Sequence, residues 1–279
     1  MTSSGAPGDP SHPPAVAAEH VFAIPAYGES LHLGACIESI RSQSAGRPRI
    51  VLGTSTPSAF LEKIAVHYGL DLLVNPRRSD IAADWNFVMN ASGASLVTIA
   101  HQDDVYRPDY MTRMRRIADA YPDVVLAFSG YGEHTDMGPR APNLNHAIKS
   151  LLCARAFGTD DCVWSKIRKR RLLNLGNPIC CPSVMINLEK AGGFQFSGSL
   201  KTNLDWDAWL RLAELPGCFA RDKRALVSKR VHAGSETTAT IANRVRQTED
   251  LLMLRRFWPK PVAKLIAAVY SLGYRANRV

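Results

Sequence analysis

After its first 20 residues the chain repeats one pattern: a short apolar run, a turn, and then apolar residues at helical spacing. The apolar runs occupy 21–25, 49–52, 71–74 and 95–100, and the helical patterns occupy 31–43, 60–65 and 81–91. Strands that alternate with helices favour a parallel sheet with right-handed crossovers and helices on its faces. This periodicity therefore predicts an α/β fold, and the run at 95–100 predicts a strand that is buried on both faces.

The segments that follow the predicted strands are the expected ligand site, because such sheets bind ligands at the carboxyl ends of their strands. These segments are 25–29, 53–56, 75–80 and 101–104. Neither a Gly-x-Gly-x-x-Gly pattern nor a P-loop follows the first strand. A dinucleotide-binding protein and a P-loop protein therefore lose their main support.

The 279 residues divide into three parts. Residues 1–19 are rich in Pro, Ser, Gly and Ala and lack the pattern of a signal peptide, which predicts a disordered leader. Residues 20–240 have the size of one large domain, with a regular half at 20–127 and a less regular half at 128–240. Residues 241–279 predict two helices broken at prolines, the second of them amphipathic.

Composition excludes several classes of protein. Hydrophobic residues make up 46% of the chain and charged residues 21%, which is a globular balance and excludes a disordered or fibrous protein. Nowhere do about eighteen apolar residues run together, so no membrane span is predicted. The six cysteines form no Cys-x-x-Cys pair and no disulfide-dense framework at this length. Reduced thiols in a cytoplasmic protein are the favoured interpretation.

The net charge of +9 suits three kinds of partner: nucleic acid, a membrane surface, or a ligand that carries phosphates. The basic run at 166–171 has no interleaved aromatic residue, which speaks against nucleic acid and favours a solvated or lipid-facing surface. Residues 241–279 hold eight Lys and Arg against two Asp and Glu, most of the excess. This basic, amphipathic tail indicates either peripheral attachment to anionic lipid on the inner face of a membrane or a helical cap with a hydrated basic face.

The adjacent carboxylates Asp103 and Asp104 follow the fourth predicted strand directly. Two neighbouring carboxylates repel each other, so a positive group is expected between or near them. A divalent ion that also binds phosphate oxygens fits, because Mg²⁺ is commonly held by one or two carboxylates and a diphosphate. The other interpretation is a solvated Asp-Asp turn that caps the helix starting near Pro108.

Several short motifs occur in a defined order along the chain. They are Ile24-Pro25-Ala26-Tyr27-Gly28-Glu29, Asp84-Trp85-Asn86, His101-Gln102-Asp103-Asp104, Asn177-Pro178 with Pro182-Ser183, Gly192-Gly193-Phe194, Leu204-Asp205-Trp206 and Arg230-Val231-His232. In this order the chain resembles the family-two glycosyltransferases of the GT-A fold over residues 20–240. The resemblance implies a Rossmann-like, mixed and mainly parallel sheet flanked by helices, with a nucleotide-binding half at 20–127, an acceptor half at 128–240 and a C-terminal helical extension.

The resemblance implies an inverting, metal-dependent glycosyltransferase. Asp104 would be the principal ligand of Mn²⁺ or Mg²⁺ on the donor diphosphate, and Asp103 would face the ribose or the metal. His232 would be a further metal ligand, although a lone histidine is more often structural. Asp205 would be the general base that takes the proton from the acceptor hydroxyl.

The resemblance also assigns residues to two substrates. The donor, a nucleoside-diphosphate sugar of UDP or dTDP type, would contact Pro25, Ala26, Tyr27, Glu29, Arg78, Asp84 and Asp103. The acceptor, a hydroxyl of a glycan, a lipid-linked molecule or a small molecule, would contact Trp206, Pro182 and Ser183. Three of these residues also fit ordinary roles: Tyr27 in a packed turn, Asp84 on a solvated helix face and Trp206 in the core.

The chain departs from the family pattern at several points. His101 stands where an acidic residue is usual, Leu204 replaces the acidic partner of Asp205, and the second strand ends without an Asp-Asp-x-Ser segment. These departures keep one alternative open, a catalytically inactive GT-A module that binds a membrane or glycan surface. A sugar-nucleotide pyrophosphorylase would need Gly-x-Gly-Thr-Arg after the first strand, which this chain lacks.

Overall fold

The structure is a computed structural model, and it describes residues 19–76, 80–232 and 245–272. The predicted leader lies outside the described residues except for Glu19. Arg78 and both ends of the predicted tail lie outside them as well.

Ten strands and nine α-helices make up the described part of the chain. The strands are β1 (His20–Ala26), β2 (Arg49–Thr54), β3 (Leu72–Val74), β4 (Leu96–Ile99), β5 (Val105–Tyr106), β6 (Val124–Thr135), β7 (Gly138–Arg140), β8 (Cys162–Val163), β9 (Val184–Asn187) and β10 (Cys218–Arg230). The helices are α1 (Leu33–Arg41), α2 (Ala59–Tyr68), α3 (Ile81–Ser92), α4 (Tyr110–Ala120), α5 (Leu144–Phe157), α6 (Lys166–Leu173), α7 (Leu204–Ala213), α8 (Val245–Leu254) and α9 (Lys260–Leu272). A 3₁₀ turn, Cys181–Ser183, precedes β9.

These ten strands form one sheet in the order β3-β2-β1-β4-β9-β6-β10-β5, with β7 beside β6 and β8 beside β10. β1 pairs in parallel with β2 and β4, and β6 pairs in parallel with β10. β9 runs antiparallel between β4 and β6. The predicted α/β class and the mixed, mainly parallel sheet flanked by helices are confirmed.

Both faces of the sheet are buried. Along β1, Val21 and Ala23 pack into one apolar cluster and Phe22 and Ile24 into the other, because successive side chains of a strand point to opposite faces. This explains why the strand is an unbroken apolar run in the sequence. All six cysteines are free thiols.

Local hydrogen bonds set the ends of α3, the helix that carries Asp84. The Asp80 carboxylate accepts from the Ala83 N–H at 2.9 Å and so caps the helix start. The helix ends at Gly93, whose φ of 57° lies in the left-handed region that favours glycine. Asp84 lies in the first turn that this cap stabilises.

The second half of the chain is more regular than its sequence indicates. β6 and β10 have 12 and 13 residues and pair in parallel register over most of their length. The register shifts between Asp222 and Ala225, where two further charged residues interrupt the apolar pattern of β10. Bulges of this kind conceal a strand from a periodicity argument.

The basic run at 166–171 is the helix α6, and its prediction as a solvated or lipid-facing surface is wrong at its centre. Lys169 is only 1% exposed. Its Nζ donates to the carbonyls of Leu215 (2.6 Å) and Gly217 (3.0 Å) and lies over the Phe219 ring. A buried ammonium persists here because backbone oxygens satisfy its donors.

The C-terminal helices α8 and α9 pack against the sheet domain. Met253 and Ala263 are fully buried in the cluster that contains the tryptophans of α7. The other side of α9 is also apolar, and Val262, Leu265 and Val269 are 40%, 68% and 58% exposed. None of the helices that the structure describes has both the length and the apolar character needed to cross a membrane.

Candidate active site

A cavity of about 940 Å³ lies at the carboxyl ends of the parallel strands. Nine of the residues predicted for the site line it: Pro25, Tyr27, Glu29, Asp84, Asp103, Asp104, Pro182, Asp205 and His232. They come from six separate segments of the chain. The fold thus gathers into one cavity the motifs that the sequence shows only in order.

The loop after β1 is tied to the loop after β4 at the rim of this cavity. The Tyr27 N–H donates to Gln102 Oε1 (3.1 Å), and Gln102 Nε2 donates to the Tyr27 carbonyl (3.0 Å). The Tyr27 side chain is 59% exposed. An aromatic ring held at a cavity rim can stack on the flat face of a nucleotide base.

Asp84 is buried, so its alternative interpretation as a solvated helix residue is wrong. Its Oδ2 accepts from Ser55 Oγ (2.7 Å), and its Oδ1 accepts from Asn75 Nδ2 (3.2 Å). Ser55 follows β2 and Asn75 follows β3, so the carboxylate joins the ends of two strands to α3.

Asp103 faces His232 across the cavity wall. Ser30 Oγ donates to Asp103 Oδ1 (2.7 Å), and His232 Nε2 lies 3.3 Å from Asp103 Oδ2. The His32 ring packs edge-on against the His232 ring at 5.2 Å. The two side chains therefore present an oxygen and a nitrogen side by side.

Asp104 has different surroundings. Its Oδ1 accepts from the Arg230 N–H (2.8 Å), and its Oδ2 lies 3.8 Å from His101 Nδ1. Burial raises the pKa of Asp104 to about 7 and lowers the pKa of His101 to about 4. Asp104 thereby holds the end of β10, two residues before His232.

Asp205 lies in the first turn of α7. Asn177 Nδ2 donates to its Oδ2 (3.0 Å), and the Trp206 N–H donates to its Oδ1 (2.7 Å). Burial raises the pKa of Asp205, and nearby cations, of which Arg246 acts most strongly, oppose that rise. A raised pKa makes the carboxylate a better proton acceptor.

Glu249 of α8 holds the segment that leads into α7. Its carboxylate accepts hydrogen bonds from the N–H groups of Lys201, Thr202 and Asn203 and from Thr202 Oγ1, at 2.8 to 3.0 Å. The C-terminal extension therefore positions the helix that carries Asp205.

Three predicted site residues lie outside the cavity lining. Ala26 is buried in β1, and Ser183 is fully buried with its Oγ donating to the Cys180 carbonyl (2.7 Å). Trp206 is fully buried, and its Nε1 donates to the Leu173 carbonyl (3.1 Å). Successive helix residues point about 100° apart, so Trp206 faces the core while Asp205 faces the cavity.

Five Lys and Arg residues line the cavity without having been predicted as site residues. They are Lys149 on α5, Lys201 before α7, Lys229 and Arg230 on β10, and Arg246 on α8. Lys229 directly precedes Arg230-Val231-His232, so the motif itself could have indicated it. Lys149 and Arg246 carry no local signal, because only packing brings α5 and α8 to the cavity. The predicted donor residue Arg78 lies outside the described residues.

The Asp103 and His232 pair fits a divalent cation. Ligand bonds of about 2.1 Å put neighbouring ligand atoms about 3 Å apart, near the 3.3 Å between Asp103 Oδ2 and His232 Nε2. In the described ranges no three His, Cys, Asp or Glu side chains converge as ligands of one ion. Two protein ligands suit an ion whose remaining ligands are phosphate oxygens and water.

The sequence and the fold were compared with known proteins. The model of Glycosyl transferase family 2 matches residues 21–191, which is more than half of the chain. The chain belongs to this family. It is a glycosyltransferase. No curated protein sequence matches the chain.

Solved structures show the same fold at low sequence identity. The Staphylococcus aureus TarS 1–349 complex with UDP-GlcNAc has a TM-score of 0.59 and 13% identity, covering 91% of this chain and 72% of that one. The Pyrobaculum calidifontis mannosyltransferase PcManGT with GDP-Man and Mn²⁺ has a TM-score of 0.57 and 14% identity, covering 96% and 74%. The Mycobacterium tuberculosis glucosyl-3-phosphoglycerate synthase with Mn²⁺ and UDP-Glc has a TM-score of 0.54 and 15% identity, covering 87% and 80%. The glycosyltransferase adopts the GT-A fold.

Proposed function

We propose that the protein is an inverting, metal-dependent transferase that moves a sugar from a nucleoside diphosphate to a hydroxyl group of a glycan, lipid-linked or small-molecule acceptor. The observation that carries this proposal is the placement of half-buried Asp205 in the same cavity as the Asp103 and His232 pair. One cavity then holds a proton acceptor and a cation site, the two groups that a direct displacement needs.

The donor is a nucleotide sugar, with the UDP or dTDP type favoured. The family and the related structures with UDP-GlcNAc, UDP-Glc and GDP-Man support this class of donor. Tyr27 and Asp84 would line the nucleoside end, where Pro25 and Glu29 also lie. The sugar would then extend towards Asp205.

Asp103 and His232 would hold Mn²⁺ or Mg²⁺ on the donor diphosphate. The bound ion supplies Lewis-acid chemistry, because it neutralises the negative charge that develops on the leaving diphosphate. We assign Asp104, which the sequence predicts as the principal ligand, to positioning: its bond to the Arg230 N–H holds the strand end that carries His232.

Asp205 takes the proton from the attacking hydroxyl. Asn177 and the Trp206 N–H fix the orientation of its carboxylate, and burial raises its pKa. As the acceptor oxygen bonds to the anomeric carbon, its proton passes to Asp205 and the diphosphate leaves with the electron pair of the broken bond. A single displacement of this kind inverts the anomeric centre.

The decisive experiment compares Asp205→Asn with wild type for donor binding and for transfer. Thermal shifts with UDP, GDP, dTDP and CMP, with and without Mn²⁺, identify the nucleotide, because a ligand of the native state raises its stability. Asp205→Asn should keep the nucleotide shift and lose transfer. The exposed Asp71→Asn variant is the control and should keep both. A fully active Asp205→Asn variant contradicts the base assignment, and nucleotide binding without turnover in wild type would favour the inactive binding module.

Peripheral attachment to an anionic bilayer belongs to the same proposal. The outward side of α9 presents Val262, Leu265 and Val269, and the exposed Lys260 and Lys264 on the same helix complement anionic lipid. Apolar area together with neighbouring basic charge is the combination that binds such surfaces.

Its test replaces Val262, Leu265 and Val269 together with Gln, because deleting α9 would also uncover the core beneath it. Sedimentation with phosphatidylserine vesicles should fall for this variant and stay unchanged for the control Val66→Gln, which alters an exposed apolar residue of α2. Unchanged sedimentation of the triple variant would rule out the membrane assignment. Loss of a dimer on gel filtration would rule it out as well, because the outward side of α9 would then contact a second copy of the chain.

A further inference from the structure

Two partly buried lysines in the cavity have no ion-pair partner among the described residues. Lys149 projects from α5 and Lys229 from β10, and both line the cavity. The ion pairs within 4 Å in the described chain include neither of them. Lys149 Nζ lies over the Tyr131 ring, 4.8 Å from its centre.

The surroundings of Lys229 do not neutralise its charge. In the pairing of β6 with β10, Lys229 lies opposite Glu133. The ion-pair partner of Glu133 is Arg140 (3.8 Å), and Asn143 Nδ2 also reaches its carboxylate (3.5 Å). Glu133, the acidic residue opposite Lys229, is therefore already paired with Arg140 and Asn143.

Both lysines line the same cavity as Asp205. Burial raises the pKa of Asp205 and of the Cys180 thiol, and in both cases Lys149 and Lys229 act against the rise. Lys229 acts in the same way on Asp104. The two lysines therefore share one cavity with the base and with the cation site.

Like charges in a shared cavity repel each other, and each loses hydration there. An anion placed between them relieves that repulsion and gains charge-assisted hydrogen bonds. The donor diphosphate would take its counter-charge from the cation that Asp103 and His232 would hold, so the anion that the two lysines would bind lies on the acceptor side.

We propose that the acceptor carries an acid group, a phosphate or a carboxylate, close to the hydroxyl that attacks, and that Lys149 and Lys229 bind it. This inference rests on the proposed function, because it takes Asp205 as the base. It restricts the acceptor to a class: an anionic hydroxyl compound. A neutral sugar alcohol would leave both ammonium groups unpaired.

The test uses three small probes with the same carbon count: glycerol 3-phosphate, glycerate and glycerol. The binding of each probe is measured by calorimetry while the nucleotide and Mn²⁺ occupy the donor side of the cavity. The proteins are wild type, Lys149→Met, Lys229→Met, the double variant, and Lys63→Met, which removes an exposed lysine of α2 as the charge-matched control. Thermal unfolding of each variant checks that it is folded.

We expect wild type to bind at least one of the two acids and to bind glycerol far more weakly. A charge-assisted hydrogen bond contributes about 1.5–3 kcal/mol, so each single variant should lower the affinity for the acidic probe by about tenfold or more. The control should leave it unchanged. Affinity for the nucleotide with Mn²⁺ should be unaffected in every variant.

Three results would overturn the inference. The first is a wild type that binds glycerol as well as the acids, or binds none of the probes. The second is a loss of acid binding in Lys63→Met that is as large as the loss in the Lys149→Met and Lys229→Met variants. The third is a parallel loss of nucleotide affinity, which would assign the lysines to the donor diphosphate. Failure of the proposed function is separate, since wild type would then bind no nucleotide, or would bind it without any turnover of a nucleotide sugar.

Discussion

Replacing Glu249 with glutamine tests whether the C-terminal extension positions the catalytic helix. Oε2 of Glu249 accepts three hydrogen bonds, from the N–H and Oγ1 of Thr202 and the N–H of Asn203, and Oε1 accepts the Lys201 N–H. Glutamine can keep its carbonyl oxygen at the first position. Its amide group would then meet the Lys201 N–H, and two donors would face each other.

The magnitude follows from these contacts. One charge-assisted hydrogen bond is lost, which costs about 1.5–3 kcal/mol. The other three hydrogen bonds then have a neutral acceptor in place of a charged one. The negative charge at the start of α7 is also removed, about 0.3–1 kcal/mol. Glu249 is 7% exposed, so water compensates little. We expect Glu249→Gln to lower the free energy of unfolding by about 2–4 kcal/mol, a fall in Tm of roughly 3–7 °C.

The loss of stability in Glu249→Gln should depend on pH. Burial raises the pKa of Glu249, but hydrogen bonds from the Lys201, Thr202 and Asn203 segment outweigh it, so the pKa lies below the ordinary value of 4.5. A lowered pKa contributes stability that is present above 4.5 and is lost as the pH falls through the folded-state value. The difference between wild type and Glu249→Gln should therefore be full at neutral pH and shrink below pH 4.5.

The assay is urea unfolding at several pH values together with steady-state transfer. Glu62→Gln is the control, because Glu62 lies in the first turn of α2 and is exposed. It should change stability by less than about 0.5 kcal/mol. Transfer by Glu249→Gln should fall about tenfold in kcat, since Asp205 is displaced, with donor affinity kept. Equal stability of Glu249→Gln and Glu62→Gln at neutral pH would refute the reasoning.

Three further predictions concern single positions. Lys169→Met leaves the Leu215 and Gly217 carbonyls without their donor and should cost about 2–4 kcal/mol of stability by urea unfolding; an unchanged midpoint would contradict the burial argument. Gly217→Ala should cost a similar amount, about 2–4 kcal/mol, because its φ is +89° and a Cβ would come 2.2 Å from the Asp123 carbonyl oxygen; a soluble variant as stable as wild type would be the opposing result. The kcat/KM profile should rise with pH through a pKa above 3.8, because burial raises the pKa of Asp205 and only its ionised form accepts a proton; an acid limb at or below 3.8 would argue against Asp205 as the base.

The first half of the fold was predictable because its strands are short and apolar, and β1 and β4 are buried on both faces. β10 was not, since the charged and bulged stretch between Asp222 and Ala225 breaks its pattern. The position of the acidic pair after β4 was also predictable, because the end of a buried strand is visible in the sequence. The different surroundings of Asp103 and Asp104 were not, because Arg230 and His232 reach them from a distant strand.

Helix α7 shows the same division. Its sequence places Asp205 and Trp206 side by side, and the resemblance assigned both to the cavity. The helical turn separates them, so that one lines the cavity and the other is fully buried. Periodicity shows that a helix has a buried side, but the neighbouring elements decide which residues that side contains.

The sequence by itself determined the order of the first four strands along the chain, the carboxylates after the fourth strand and the family to which the chain belongs, because each is encoded in consecutive residues. Only the tertiary structure decided which charges meet around Asp205. Lys149, Lys229 and Arg246 come from α5, β10 and α8, and no local pattern links them. Their meeting depends on how a helix, a strand and a C-terminal helix pack together, and packing is a property of the whole chain.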